Sequence, residues 1–375
     1  MNPSISEILD GDVLTFTMSN TNTSIANALR RTMIRDIPTV GIKTELYEQN
    51  QCQIEINTSR FHNEIVKHRL SCIPVHRDFN EHDDLPGNYV LELDVKNDTE
   101  HVLYVTTADF KLRSKHTGNL LSPTEMRRIF PPCEKTNSYI DFLRLQPRLS
   151  ESIPGEQIKL VADFSVVSPR ESSTFAVVSK CTYQATPDAD AARAAWEAHE
   201  RELRAANMDD REIAFHRRNF MVLDAQRKFV ADSYDFAVQS VGVYQNKSIV
   251  KKACDILCAR FKERVEEIDA GLIAVAPSNT TMDAWDIIMQ NEDYTVGKVI
   301  EFMLYERYFR GGSGAQKLLQ FCGFKKKHPH DTESIIRVAY EAPVSADTVR
   351  GHFREQAVDA QTIFENIGKY FEERG

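Results

Sequence analysis

Apolar and polar residues alternate along several short stretches of the chain, and each such stretch predicts a β-strand. Residues 11–18 (DVLTFTMS) are the first, and residues 40–57 continue the pattern. The stretches YVLELDV, HVLYVTT, IKLVADFSVV and STFAVVSKCTY follow, separated by turns rich in Pro and Asn. Together they predict an antiparallel, sheet-rich body. Later strands are predicted at 234–244, 285–290 and 334–340.

Residues 19–42 (SNTNTSIANALRRTMIRDIPTVGI) predict a helix with two unlike faces. Asn22 or Thr23 can cap its start by accepting free backbone N–H groups. Pro38 ends it, because the residue before a proline avoids the helical region. The apolar face carries Ile25, Ala28, Leu29 and Met33, and the polar face carries Asn27, Arg30, Arg31 and Arg35.

Further helices are predicted from apolar residues that recur every three or four positions. Residues 60–74 predict a short helix stopped by Pro74. Residues 188–228 are rich in Ala, Glu and Arg and lack Gly and Pro, which predicts one or two inserted surface helices. Longer helices are predicted at 247–268, 295–309 and 346–373. Their stripes are Val250, Cys254, Leu257, Phe261, Val265 and Ile268 in the first, and Val349, Phe353, Ala357, Ala360, Phe364, Ile367 and Phe371 in the last.

The beginning of the chain and its last quarter share one plan: a strand, a capped helix, more strand and a long final helix. Aligned without a gap, Met18, Asn20, Ser24, Ile25, Leu29 and Met33 correspond to Met289, Asn291, Thr295, Val296, Ile300 and Leu304. Two similar modules can bury their apolar helix faces against each other, which predicts a pair within one chain. Chance similarity between two capped amphipathic helices is the alternative.

Composition and charge narrow the classes of protein. A chain of 375 residues predicts two or three domains. The net charge of −9 argues against a nucleic-acid-binding protein. No apolar run is long enough to span a membrane, and MNPSISEILDGD lacks the features of a signal peptide. Seven scattered cysteines are typical of an intracellular, reducing compartment.

Two residue pairs have side chains that can bind a metal. Cys254 and Cys258 share a helix face, but two core residues are favoured over half a metal site, since no second Cys or His pair stands nearby. His328 and His330 flank Pro329, which predicts a solvated turn rather than a ligand pair.

Two further motifs contain residue types that occur at catalytic or phosphate-binding sites. The loop GGSGAQK (311–317) follows a predicted helix and lacks the Gly-Lys pair of a P-loop, which favours a flexible connector. Asp188 and Asp190 form an isolated DxD in a polar stretch, where carboxylates are usually solvated. No nucleophile–base pairing accompanies these motifs, so the sequence predicts no active site.

The arginines of the first helix have three interpretations: docking on a protein, a solvated helix face, or nucleic-acid binding. No Glu or Asp lies four residues from Arg31, so the helix does not neutralise this charge itself. Arginine also suits planar, bidentate contacts at interfaces. Docking is therefore favoured over a solvated face, and nucleic-acid binding is the least favoured.

Three segments of the first 270 residues carry a family signature. They are SIANALRRTMIRDIPTVGI (24–42), NEIVKHRLSCIPV (63–75) and YDFAVQSVGVYQNKSIVKKACDILCARF (234–261). These segments resemble the alpha-like subunits of multisubunit DNA-directed RNA polymerases. That family comprises the bacterial alpha N-terminal domain, the archaeal D subunit and the eukaryotic third subunit.

The last hundred residues carry a second signature, in NEDYTVGKVIEF (291–302) and FCGFKKKHPHDTESIIRV (321–338). It is similar to that of the partner subunit, archaeal L or the eukaryotic eleventh subunit. This family usually has His and Asn where Tyr294 and Lys298 stand here, and the GGSG segment resembles an insertion. The resemblance implies a D-type and an L-type subunit fused in one chain. Such fusion is associated with large DNA viruses, which implies a viral origin.

The resemblance predicts an α+β fold: two related alpha-like dimerisation modules that pair within one chain, the first interrupted by an antiparallel β-rich domain. The predicted divisions are 1–46 plus 229–270 for the first module, 47–187 for the inserted domain, 188–228 for the helical insertion, 271–282 for a linker and 283–375 for the second module. The module-pairing residues are predicted to be Ile25, Leu29, Met33, Val250, Cys254, Leu257, Phe261, Val296, Ile300, Phe353, Phe364 and Phe371.

The resemblance also implies a function, that of a non-catalytic platform on which the second-largest and then the largest polymerase subunit dock. Arg30 and Arg31 match paired arginines of the family, and Arg35, His68 and Arg69 complete the predicted docking surface. A small subunit of the tenth type is a further expected partner. DNA is reached only through the complex, and neither a membrane nor a homodimer is expected.

Some D-type subunits carry a zinc or iron–sulfur site in the inserted domain. Here only Cys133 and Cys181 lie between residues 75 and 250, so neither a metal nor a cofactor is predicted. The implied compartment is a cytoplasmic viral factory or the nucleus, with packaging in the virion a further option. The alternatives are a nucleotide-binding enzyme that uses the Gly-rich loop and a free-standing nucleic-acid-binding protein.

Overall fold

A computed structural model describes residues 2–77, 85–150, 152–280, 283–314 and 316–372. It combines helices with antiparallel sheets and confirms the α+β class. Residues 281 and 282 of the predicted linker, and residue 373 at the predicted end of the last helix, lie outside the described residues. Among the helices in the described ranges, none has the length and apolar character needed to cross a membrane.

The described strands alternate with helices along the chain. They are β1 (Ser4–Asp10), β2 (Leu14–Ser19), β3 (Thr39–Gly41), β4 (Cys52–Asn57), β5 (Tyr89–Lys96), β6 (Leu103–Thr106), β7 (Lys111–Ser114), β8 (Asp141–Leu145), β9 (Gln157–Asp163), β10 (Ser165–Val167), β11 (Val178–Pro187), β12 (Phe229–Ser240), β13 (Ala274–Pro277), β14 (Ala284–Gln290), β15 (Leu319–Lys325) and β16 (Glu333–Tyr340).

The described α-helices range from a single turn to 24 residues. They are α1 (Thr23–Arg35), α2 (Asn63–Ser71), α3 (Leu85–Asn88), α4 (Pro123–Ile129), α5 (Ala189–Ala205), α6 (Asp210–Val222), α7 (Asn246–Asp269), α8 (Tyr294–Leu304) and α9 (Ala346–Lys369). Helix α8 continues into a π-helical turn, Tyr305–Phe309.

The chain folds into two compact units. The first unit comprises Met1–Thr32, Lys180–Gln239 and Asn246–Gly375, and the second comprises Met33–Ser179 and Ser240–Gln245. The second unit contains a four-stranded sheet in the order β4-β9-β5-β7 and the strand pairs β6-β8 and β10-β3. Its core includes Phe110, whose ring contacts Phe130 and Phe142 edge-to-face at centroid distances of 5.4 and 5.5 Å.

The first unit contains two four-stranded sheets with the same topology. Their strand orders are β1-β2-β12-β11 and β13-β14-β16-β15. In each sheet one central strand, β2 or β14, is followed in the chain by a capped helix, α1 or α8. The other central strand, β12 or β16, is followed by a 24-residue helix, α7 or α9. We call β1, β2, α1, β11, β12 and α7 the first repeat, and β13, β14, α8, β15, β16 and α9 the second repeat.

The turn before each capped helix is built in the same way in both repeats. Asn20 and Asn291 leave the preceding strand with φ of 55° and 56°, a left-handed conformation that asparagine tolerates. Asn22 Oδ1 then accepts a hydrogen bond from the Ile25 N–H at 3.1 Å. Asp293 Oδ1 accepts one from the Thr295 N–H at 2.8 Å. Asn22, rather than Thr23, is therefore the cap of α1.

Helices α5 and α6 confirm the prediction of inserted helices at 188–228. They lie between β11 and β12 in the chain and share a small core of Trp196, Leu203, Ile213 and Phe220. Asp188 of the DxD motif caps α5, because its Oδ1 accepts a hydrogen bond from the Ala191 N–H at 2.8 Å. This carboxylate therefore has a structural role.

Three local predictions need correction. Strand β1 was missed because a bulge between Ser6 and Leu9, with Glu7 at φ 53°, breaks the alternation of an edge strand. Part of the predicted linker forms the edge strand β13, which gains backbone hydrogen bonds from β14 although its residues are small. Strand β12 ends at Ser240 rather than residue 244, since Gly242 takes a φ of 107°.

Candidate protein–protein interface

Helices α7 and α9 pack side by side and run antiparallel. The Phe261 and Phe364 rings stack at a centroid distance of 5.7 Å, and the Cys258 thiol donates a hydrogen bond to the Gln361 carbonyl at 3.6 Å. A Cβ added at Gly368 would lie 3.3 Å from the Cβ of Cys254, so the two backbones approach closely there. The seam therefore joins the two repeats along most of both helices.

Every predicted pairing residue is buried. The set is Ile25, Leu29, Met33, Val250, Cys254, Leu257, Phe261, Val296, Ile300, Phe353, Phe364 and Phe371. Phe371, just past α9, also meets Phe16 of the first repeat edge-to-face at 4.9 Å, and Phe16 stacks on Phe236 at 4.9 Å. The predicted stripe of α7 needs one correction: Val265 is half-buried, whereas Arg264 is buried, because ion pairs compensate the guanidinium there.

Arg31 of the first repeat reaches the cap of α8 in the second repeat. Its Nε donates to Thr295 Oγ1 at 2.9 Å, and its Nη2 donates to Asp293 Oδ2 at 3.1 Å. The two charged side chains are 28% and 16% exposed. Asp293 thus accepts the cap hydrogen bond of its own helix with one oxygen and the Arg31 hydrogen bond with the other.

Two arginines of α7 extend this cluster into the protein interior. Arg260 Nη2 donates to Glu292 Oε2 and lies 3.8 Å from Asp293 Oδ1. The guanidinium of Arg264 is 5% exposed and pairs with Glu263 and Glu267 of its own helix, each at 2.9 Å, with Glu292 3.8 Å away. We call Arg31, Arg260, Arg264, Glu292 and Asp293 the charge cluster.

The two carboxylates of the charge cluster differ in their proton affinity. Burial raises the pKa of Glu292, although Arg260 and Arg264 oppose the effect. Burial also acts to raise the pKa of Asp293. The hydrogen bonds from the Thr295 N–H and hydroxyl, together with Arg31 and Arg260, outweigh it and hold the pKa well below its usual value.

Arg30, a predicted docking residue, is half-buried and makes its side-chain hydrogen bonds within α1. Its Nε and Nη2 donate to Asn27 Oδ1 at 3.2 and 2.9 Å. Its backbone carbonyl accepts a hydrogen bond from the Cys181 thiol at 3.8 Å. Both Arg30 and Arg31 belong to the first unit.

The other predicted docking residues belong to the second unit. Arg35 is exposed. Arg69 donates to the carbonyls of Phe142 and Asp141 at 2.7 and 2.8 Å, so this side chain ties α2 to β8. His68 is exposed and lines a cavity of about 530 Å³ together with Lys43 and other residues. The docking role of all five residues stays a prediction.

The cysteine pair, the histidine pair and the Gly-rich loop lie in surroundings that differ from those of a metal or phosphate site. Cys254 is fully buried and Cys258 half-buried, and burial raises the pKa of the Cys258 thiol to about 12. His328 and His330 are exposed in the turn between β15 and β16. The loop of residues 311–314 follows the π-helical turn, whereas a P-loop follows a strand.

Sequence reasoning missed the charge cluster, apart from Arg31. Two signals could have found it. Arg264 stands on the apolar stripe of α7, where a charge needs a buried partner. The residues Glu292 and Asp293 directly precede α8, where an acidic residue caps the helix and meets its dipole.

Known proteins share part of this sequence. A family model described as "RNA polymerase Rpb3/Rpb11 dimerisation domain" matches residues 15–261. A conjugation stage-specific protein of Tetrahymena thermophila is 34% identical over 116 residues, which are 27% of this chain and 34% of the relative. Subunit 3 of DNA-directed RNA polymerases II, IV and V of Arabidopsis thaliana is 41% identical over 67 residues, 18% of this chain and 19% of the relative.

A longer match links the chain to the DNA-directed RNA polymerases I and III subunit RPAC1 of Homo sapiens. It is 24% identical over 305 residues, which are 70% of this chain and 83% of that relative. The chain therefore spans about a third of the first relative, about a fifth of the second and most of this one. The family match ends within α7, so the second repeat lies beyond it.

Proposed function

The chain belongs to the RNA polymerase Rpb3/Rpb11 dimerisation domain family, and from this premise we propose that it is a non-catalytic assembly-platform subunit of a DNA-directed RNA polymerase. The names of two of the relatives, subunit 3 and RPAC1, support a place in such an enzyme. The observation that carries the proposal is the buried helix seam of α7 and α9, which joins the two repeats.

We further propose that the chain supplies both halves of the dimer. The second repeat has the strand order of the first, and its helix α9 covers α7. This supports a D-type module followed by an L-type module. The divisions at 1–46 plus 229–270 and at 283–375 stay a prediction, and strands β11 and β13, which belong to the two sheets, lie outside them. Such a chain needs no separate partner for the seam, so no homodimer is expected.

The proposed partners are the largest and second-largest polymerase subunits, with a small subunit of the tenth type. Arg30, Arg31, Arg35, His68 and Arg69 are the proposed docking residues. The exposure of Arg35 and His68 is compatible with such contacts. DNA would be reached through the complex. The fusion leads us to propose a viral source and assembly in a cytoplasmic viral factory or the nucleus.

An affinity pull-down of the tagged chain tests the platform. The chain would be expressed from its native genome, and the recovered proteins would be identified and quantified by mass spectrometry. We expect two very large polymerase subunits in near-equal amounts. Recovery of the chain alone, or with nucleic acid only, would show that the proposal is wrong.

A further inference from the structure

We propose that the charge cluster selects the pairing of the repeats, so that a first repeat accepts a second repeat and neither accepts its own kind. This inference rests on the proposed function, since it assumes that the two repeats are the halves of a dimerisation domain. It adds the residues that determine which halves combine. Three observations carry it: the distribution of charge, the identity of the equivalent positions, and the burial of the cluster.

The charges of the cluster are divided between the repeats by sign. The three arginines all come from the first repeat, Arg31 from α1 and Arg260 and Arg264 from α7. The two carboxylates, Glu292 and Asp293, directly precede α8 of the second repeat. Two of the cross-repeat contacts are Arg31 to Asp293 at 3.1 Å and Arg260 to Glu292.

The positions equivalent to the cluster carry none of these charges. The alignment that matches Asn20 with Asn291 also matches Arg31 with Phe302. It matches Glu292 with Thr21 and Asp293 with Asn22. Of these counterparts, Thr21 is buried, and Asn22 and Phe302 are half-buried.

The counterparts of the two α7 arginines follow from the strand registers. In the first sheet Phe236 lies opposite Phe16, and in the second Ile336 lies opposite Ile287. Helices α7 and α9 begin at 246 and 346, the same distance beyond these strand residues. Arg260 and Arg264 therefore correspond to Ala360 and Phe364, both fully buried.

Pairing of like repeats would leave buried charges without partners. Two first repeats would place Arg31 and Arg260 against Thr21 and Asn22, which carry no charge, and Arg264 would keep only Glu263 and Glu267 of its own helix. Two second repeats would place Glu292 and Asp293 against apolar side chains. A buried ion that loses its partner is strongly destabilising, whereas in a matched pair the attraction between the two charges offsets much of the desolvation cost. Such penalties discriminate against wrong partners.

The same seam offers a control in an exposed ion pair. Arg354 of α9 donates to Asp269 of α7 at 2.8 and 3.0 Å, and both side chains are 49% exposed. Solvent screening makes such pairs weak. Reversal of this pair changes the same number of charges between the two repeats but leaves the protein interior unchanged.

The test separates the repeats after the whole chain has folded. A protease site is inserted between Gly271 and Leu272, where Leu272 is 73% exposed and Gly271 takes a φ of 72° in a turn. The purified full chain is cut, and the affinity of the two fragments is measured by dilution and native mass spectrometry. The affinity between the two fragments is compared among the wild-type protein, the single variants Arg31→Asp and Asp293→Arg, and the double variant that carries both substitutions.

We expect the cut wild-type chain to remain a one-to-one complex of unlike fragments. Either single reversal should weaken the complex by at least about tenfold, and the double reversal should restore the charge-dependent part of the loss but not the α8 cap that Asp293 supplies. Reversal of Arg354 or Asp269 should change the affinity by about twofold or less. Single reversals that stay within about twofold of wild type would overturn the proposal.

A milder variant covers the case in which a reversed chain does not fold. Glu292→Gln with Asp293→Asn retains side-chain size and the helix cap but removes both negative charges. Complexes of two second-repeat fragments should then form, and wild type should show none. If these complexes do not form and the unlike affinity is unchanged, the inference is wrong.

The outcomes distinguish this inference from the platform proposal. If the wild-type fragments separate on cutting, both the pairing and its charge selection are wrong. If they stay together but the reversals have no effect, only the charge selection is wrong. In that case the pull-down of large polymerase subunits still decides the proposed function by itself.

Discussion

At the scale of single residues, Asp293 has two roles at one carboxylate. One oxygen caps α8 and the other accepts the hydrogen bond from Arg31. Asparagine caps helices as well as aspartate does, so the two roles can be separated by a substitution that removes only the charge.

We predict that Asp293→Asn lowers the free energy of unfolding by about 1–3 kcal/mol at pH 7, because Arg31 and Arg260 lose a charged acceptor. The pKa of Asp293 is lower in the folded state than the ordinary value of about 3.9. Its contribution is therefore complete above that ordinary pKa and is lost as the pH falls towards the folded pKa. Urea unfolding should therefore show the same difference from wild type at pH 7 and pH 5 and a smaller difference at pH 3.

The control for this prediction is Asp347→Asn in the first turn of α9. Asp347 pairs with Arg350 at 2.8 Å, but its side chain is 90% exposed. Such pairs contribute little, so the substitution should change the unfolding free energy by about 0.5 kcal/mol or less. An equal effect of the two substitutions at pH 7 would contradict the special role of Asp293.

At the scale of elements, the second repeat depends on a close approach between α8 and β15. A Cβ added at Gly297 of α8 would lie 2.1 Å from the nearest atom of the Phe324 ring. The equivalent position of the first repeat is Ala26. The aromatic ring thus takes the space that a methyl group fills in the other repeat.

We predict that Gly297→Ala destabilises the chain by about 1–3 kcal/mol, because a buried aromatic ring must shift. The matched control is Gly351→Ala within α9, where a Cβ meets nothing within 4 Å. That substitution should stabilise the chain by up to about 1 kcal/mol, since alanine is the better helix former. Thermal or urea unfolding of both variants tests the pair, and destabilisation by both would contradict the steric argument.

The helix seam allows a second prediction at this scale. Phe364 is fully buried and stacks on Phe261 of α7. Phe364→Ala should therefore cost about 3–5 kcal/mol of unfolding free energy. Tyr370→Ala, at a residue that is 46% exposed just after α9, should cost far less. Similar costs in urea titrations would argue against a tightly packed seam.

At the scale of the whole molecule, the proposed docking surface can be tested apart from stability. The side-chain hydrogen bonds from Arg30 to Asn27 remain within α1, whereas Arg31 also binds the second repeat. A loss of binding to the large subunits after Arg31→Ala could therefore come either from lost docking or from weaker pairing of the repeats. Arg30→Ala is the cleaner probe of docking.

We predict that Arg30→Ala lowers the recovery of the large polymerase subunits in the pull-down by at least about tenfold, as expected for a desolvated arginine contact. Its unfolding free energy should change by about 0.5 kcal/mol or less. Arg350→Ala on α9 serves as the control and should leave recovery unchanged. Undiminished recovery with Arg30→Ala would show that this arginine does not anchor a large subunit.

Much of the local structure can be predicted from the sequence, and the elements that cannot be predicted share a physical reason. The cap at Asn22, the apolar stripes of α7 and α9, and the inserted helices depend on residues within a few positions of one another. Edge strands β1 and β13 were missed, because their hydrogen-bond partners rather than their own patterns stabilise them. The arginines of α1 were recognised as unusual, but their partners were not.

The sequence by itself determined the helices, the repeated strand–helix plan and the family signature, since periodicity and caps are properties of neighbouring residues. Only the tertiary structure decided that Arg31 meets Asp293, a residue 262 positions away, and that Arg264 is buried. Such pairs leave no periodic trace, because the chain between them can have any length. Their geometry exists only once the helices have packed. In this protein the same charge pairs also distinguish the first repeat from the second.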